Sequence, residues 1–102
     1  MTRTLTGSVT SGSKRVTTAG TAEVISATTL PVLWVTIQSE SDNTLAVALG
    51  DSGVDVTAGT TADDVFLSPG DSIAFGEVDL GHLYVDVSTS GDGVVYIYGR
   101  AQ

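Results

Sequence analysis

The chain has 102 residues, with 12 acidic against 4 basic side chains and a net charge of −8 at pH 7. That length makes one domain able to bury about two-thirds of its unfolded surface. The acidic balance argues against a nucleic-acid binder, whose phosphate contacts need clustered Lys and Arg, and the absence of cysteine excludes disulfides and thiolate metal sites.

Fourteen valines, fifteen threonines and twelve glycines point to strands and tight turns. No window of ten or more residues carries the apolar spacing of an amphipathic helix. The expected class is all-β. The first twenty residues lack a signal-peptide core and no apolar run reaches membrane-spanning length, so we expect a soluble chain made without Sec-type export and without a membrane partner.

In chain order, residues 1–20 are rich in Thr, Ser and Gly, with Leu5, Val9 and Val16 as the sizeable apolar anchors. Such a segment is too thin to form a core of its own and reads as an arm, or as an edge strand of the domain formed by residues 21–102. A short strand is expected over Ala22–Ser26, with Val24 and Ile25 competing for the inside. Pro31 then stands just before a strand, where its missing N–H does little harm.

From Leu33 to Gly50 two period-two arms flank the polar residues Glu40–Thr44, which predicts an antiparallel hairpin. Symmetric pairing sets Ile37 opposite Val47 and Val35 opposite Leu49. Leu33, Val35, Ile37, Leu45, Val47 and Leu49 then form the core face. Trp34, Thr36, Gln38, Ala46, Ala48 and Gly50 form a flat, uncharged face that can meet water, a second sheet or another subunit.

After a turn at Gly50–Gly53, Val54 and Val56 predict a short strand and residues 57–64 a loop. Val65–Leu67 leads to Ser68-Pro69-Gly70-Asp71, whose Pro-Gly order fits a type II turn with Gly at positive φ. Ile73 and Phe75 alternate with small residues, and Leu80 is expected to plug the core. Leu83–Val87 and Val94–Tyr98 predict a second hairpin, with the last strand apolar on both faces and so buried on two sides. The sum is about eight short strands at regular spacing. A single antiparallel β-sandwich of jelly-roll type is expected, with an immunoglobulin-like or small-barrel topology as the fallback.

Candidate chemistry is sparse. Gly50-Asp51-Ser52-Gly53 matches the residues around a trypsin-like nucleophile, but the lone histidine, His82, follows the serine, and four small turn residues after a strand recur by chance. Ser52 reads as a turn serine and His82 as a loop residue. Asp51 and Asp55, or Asp63 and Asp64, supply carboxylates of the kind calcium takes, without the spacing of a ligand loop. Trp34, Tyr84, Tyr96 and Tyr98 suit either a sugar-binding platform or core and interface packing. We therefore expect no enzyme, no metal and no cofactor.

The charges are segregated. Arg3, Lys14, Arg15 and Arg100 lie near the termini, while all twelve acids fall between Glu23 and Asp92 in a span without Lys or Arg. This is either an acidic soluble surface with incidental basic ends or a basic foot that docks on an acidic partner.

The Thr-Leu-Thr-Gly opening, Val-Thr-Thr-Ala-Gly-Thr-Ala-Glu, Val-Thr-Ile-Gln with Ser-Asp-Asn-Thr, Leu-Ser-Pro-Gly-Asp-Ser-Ile and Leu-Tyr-Val-Asp-Val together resemble small β-sandwich virion proteins of tailed bacteriophages, most of all capsid decoration (cement) proteins. The resemblance covers most of the chain in texture and order rather than through one invariant motif. It implies a non-enzymatic protein on the outside of the phage head, assembled in the bacterial cytoplasm, often trimeric, clamping the major capsid protein. Under it Arg3, Lys14, Arg15 and Arg100 would face the capsid, and Trp34, Thr36, Gln38, Ala46 and Ala48 would form the candidate subunit contact, with the final hairpin competing for that role. Tail, neck or fibre components and a carbohydrate-binding domain contacting the host surface are the competing readings.

Overall fold

The computed structural model describes residues 7–56 and 65–101. Within them the chain is all-β, with antiparallel pairing throughout. Its strands are β1 (Gly7–Arg15), β2 (Glu23–Val24), β3 (Pro31–Val32), β4 (Trp34–Ser39), β5 (Val47–Gly50), β6 (Val65–Leu67), β7 (Ser72–Phe75), β8 (Val78–Asp79), β9 (Tyr84–Val87) and β10 (Gly93–Ala101). A first sheet has the order β1-β10-β4-β7, a second β2-β9-β5-β6, and β3 pairs with β8 alone.

Neither expected hairpin forms. β4 lies between β10 and β7 in the first sheet, whereas β5 lies between β9 and β6 in the second. Residues 40–46 therefore cross from one sheet to the other. Asn43 secures the crossing: its Nδ2 donates to Ser39 Oγ (2.8 Å) and Gly93 O (2.7 Å), and its Oδ1 accepts from Gly93 N (2.9 Å). Asp92 Oδ2 accepts from Thr44 N and Leu45 N at 2.9 and 3.4 Å. These bonds bind the loop to the start of β10 instead of closing a turn. β9 and β10 likewise belong to different sheets.

The period-two parity nonetheless holds. Val35, Ile37, Val47 and Leu49 are buried, and they share one cluster with Val85, Val87, Val94 and Leu67 from the two large sheets and with Leu80. Leu33 and Leu45, at the ends of the two arms, are exposed rather than core. Leu80 is fully buried in a 3-10 turn (Leu80–His82), whose Asp79 cap accepts from Gly81 N at 2.8 Å. Burying such a leucine contributes about 2 kcal/mol.

Val54 and Val56 are buried without forming a strand. They pack with Ala48, Ala22 and Tyr84 on the other side of the second sheet. The expected Pro-Gly turn is present: Gly70 has φ +88° and Asp71 N donates to Ser68 O at 2.9 Å. It too joins strands of different sheets, β6 and β7.

The segment after β1 is fastened by Glu23. Its carboxylate accepts from Lys14 Nζ (2.9 Å) and from Thr17 N (2.9 Å), and the lysine in first place holds its pKa below the ordinary 4.5. Asp79 is likewise held below 3.8, by the N–H groups of Leu30 and Gly81. A lowered folded pKa gives stability that is complete above the unfolded value and lost as pH falls through the folded one. Stability will thus decline on acidification from about pH 4.5 downward. In urea titrations between about pH 7 and 3, Glu23→Gln will show a shallower decline than wild type. Parallel curves would remove Glu23 from the acid response.

Candidate functional site

Residues opposite one another across an antiparallel ladder share a face, so register defines the surface of the first sheet. One row is Val9, Gly99 and Trp34; the next is Ser11, Ile97, Thr36 and Ala74; the third is Ser13, Val95, Gln38 and Ser72. None of these residues is charged, and the row that follows at one end carries Arg15, opposite Gly93, ion-paired to Glu40. The opposite face carries Val35, Ile37, Tyr98 and Val94, all buried in the core.

The outer face holds much of the exposed apolar surface of the described chain. Val9 is 63% exposed, Ile97 41%, Trp34 40% and Val95 37%. This corrects the expectation that β10 is buried on both sides: its Val95 and Ile97 side is open. Ser11, Ser13, Thr36, Gln38, Val95 and Ile97 line a shallow groove across it. Trp34 reaches over Gly99, where a Cβ would collide with the indole. Glycine is thus what lets the ring settle against the sheet. Exposed apolar side chains gathered on one sheet face make it the candidate interaction surface among the described residues.

The structure divides the residues predicted as a subunit contact. Trp34, Thr36 and Gln38 belong to the outer face. Ala48 is fully buried in the second sheet, covered by Val54 and Val56, and Ala46 is half-buried in the crossing segment. The hairpin that would have joined them does not exist. Sequence reasoning passed over Val9, Val95, Ile97 and Gly99 as members of this face. The continuous apolar run Val94–Tyr98 concealed that Val95 and Ile97 alternate outward.

The predicted cations are also dispersed. Arg3 lies outside the described residues. Lys14 is bound to Glu23, and Arg15 Nη2 to Glu40 Oε1 at 2.8 Å. Arg100 is exposed and pairs in register with Ser8, six residues along β1 from Lys14, or roughly 20 Å at strand rise. Lys14, Arg15 and Arg100 do not make one foot.

The other candidates stay apart. Ser52 is an exposed turn residue, and Asp51 Oδ1 accepts from Gly53 N at 2.8 Å in the turn itself. His82 is exposed at the end of the 3-10 turn. Asp63 and Asp64 lie outside the described residues, and among the described ones no group of three or more His, Asp or Glu is placed to hold a metal. Tyr96 and Tyr98 stack at 6.0 Å between centroids on the inner face of the first sheet, and burial raises the Tyr96 pKa above 10.0. Tyr84 packs in the second sheet's cluster. Trp34 therefore has no tyrosine beside it on the outer face to complete a sugar platform. No family model, curated protein or solved structure matches the chain.

Proposed function

We propose that this chain is a non-enzymatic structural protein of a tailed-phage particle, a decoration protein seated on the outer surface of the head. The observation that carries the reading is the group of exposed apolar side chains on the outer face of the first sheet, Val9, Trp34, Val95 and Ile97. A face whose three central rows carry no charge, with the Arg15–Glu40 ion pair at one end, has a surface suited to packing against another protein. The resemblance in sequence texture supplies the particle. The common core of the two large sheets supports a jelly-roll-like sandwich as the architecture. On this reading the partners are the major capsid protein and further copies of the chain, and the outer face takes the docking role that the scattered cations do not.

Quantitative mass spectrometry of purified particles tests the location. A copy number comparable to the major capsid protein is expected. A handful of copies would move the chain to tail, neck or fibre, and absence from the particle would end the virion reading. Trp34→Glu tests the face. The variant will remain folded, because the side chain lies outside the core, and will bind particles roughly thirtyfold or more weakly, the ~2 kcal/mol of an interface tryptophan. Unchanged binding would remove this face from docking.

A further inference from the structure

β1 is an edge strand whose outer side no described strand covers. It runs for nine residues, whereas the other edges of the two large sheets, β7, β6 and β2, have four, three and two. Natural edges are blunted by shortness, proline, bulges or inward charge. From Gly7 to Ser13 this one has none of the residues that do so: it reads Gly-Ser-Val-Thr-Ser-Gly-Ser. Its cations, Lys14 and Arg15, sit at one end and are engaged by Glu23 and Glu40.

The ladder shows which groups are free. Val16 N donates to Asp92 O at 2.9 Å and Glu40 N donates to Gly93 O at 3.1 Å, so alternate residues of β10 bond to β1 and to β4. Carried along the register, Thr10, Gly12 and Lys14 turn their backbone groups to β10. Val9, Ser11 and Ser13 turn theirs outward.

We propose that β1 pairs with β1 of a second copy of this chain, antiparallel about a two-fold axis at Ser11, so that the first sheet continues across a dimer. The free groups complement themselves under this symmetry: Ser11 faces its own counterpart and Val9 faces Ser13, all small or neutral. Charge selects the direction. Antiparallel pairing sets Arg15 opposite Gly7 and separates the two arginines by roughly 27 Å, whereas in-register parallel pairing would set them side by side. The dimer also places two outer faces in one continuous surface. It is a two-fold pair, unlike the trimers implied by the resemblance, and it does not depend on the chain belonging to a particle.

Sedimentation and light scattering of the full chain at about 1–100 µM will give twice the chain mass. Ser11→Pro removes an outward N–H and no bond to β10, so the variant will be folded and monomeric. Ser11→Cys supplies the chain's sole thiol. Paired Cα atoms about 5.5 Å apart fall within disulfide reach, so oxidation will yield a covalent dimer. A wild-type monomer across the range, a trimer, an assembly that survives folded Ser11→Pro, or a Ser11→Cys variant that does not cross-link would each overturn the proposal.

Discussion

Asp86→Ala will destabilise the protein by about 3–5 kcal/mol, the summed cost of leaving several buried N–H groups without their acceptor. Asp86 is fully buried although it stands opposite Ala48, on the side of the second sheet away from the main core. Its Oδ1 accepts from Gly20 N at 3.1 Å and Val87 N at 2.9 Å, and its Oδ2 accepts from Val56 N at 2.9 Å. One carboxylate thereby ties two covering segments, around Gly20 and around Val56, to the sheet. Alanine leaves those N–H groups without an acceptor and also opens a small cavity.

At about 4–8 °C per kcal/mol for a domain near this size, the melting temperature will fall by about 12–40 °C. Asp86→Asn keeps one acceptor oxygen and turns an amide donor toward a donor, so its loss will be intermediate. Urea unfolding of both variants checks the order. A loss below about 1 kcal/mol for alanine would mean that water reaches these groups and that Asp86 is not the tie.

The second large effect is expected at Gly93, the first residue of β10. Its backbone is bonded on both sides to Asn43, and its carbonyl also accepts from Glu40 N. A Cβ there would collide with the Lys14 carbonyl oxygen and stand 2.7 Å from Arg15 Cα. These are backbone atoms, with no flexible side chain to swing aside. Gly93→Ala will therefore force β1 away from β10 at this end and disturb the Asn43 bonds, at about 3 kcal/mol.

Hydrogen exchange will locate the damage: the Val16 amide, bonded to Asp92 O, will lose protection before those of β4. A cost under about 1 kcal/mol with protection intact would show that the edge strand yields freely. That result would also weaken the case for β1 as a firm platform for a partner strand.

Asn43, Asp86 and Asp92 were not legible as a set. Asn43 lies 43 residues from Asp86 and 49 from Asp92, and nothing in local pattern links a loop amide to a strand carboxylate. Asp86 did leave one mark, a lone acid between Val85 and Val87 in an otherwise apolar strand. A carboxylate at such a place needs partners, but only the folded chain names Gly20 and Val56. The candidate site was half legible in the same way. Alternation puts Trp34, Thr36 and Gln38 on one flat face but assigns Ala46, Ala48 and Gly50 to it as well, whereas Val9, Val95 and Ile97 join it through pairings with no signature in sequence.

The sequence by itself determined the all-β class, the Pro-Gly turn, the burial of Leu80, and the inward parity of Val35, Ile37, Val47 and Leu49. Each of these is a local matter of composition, turn chemistry or period-two spacing. Tertiary structure decided which strands lie side by side. A strand buried on one face shows the same alternation whether its successor folds back beside it or crosses to another sheet. The choice at residues 40–46 rests on long-range bonds from Asn43 and Asp92, and those form only when β10 is already in place.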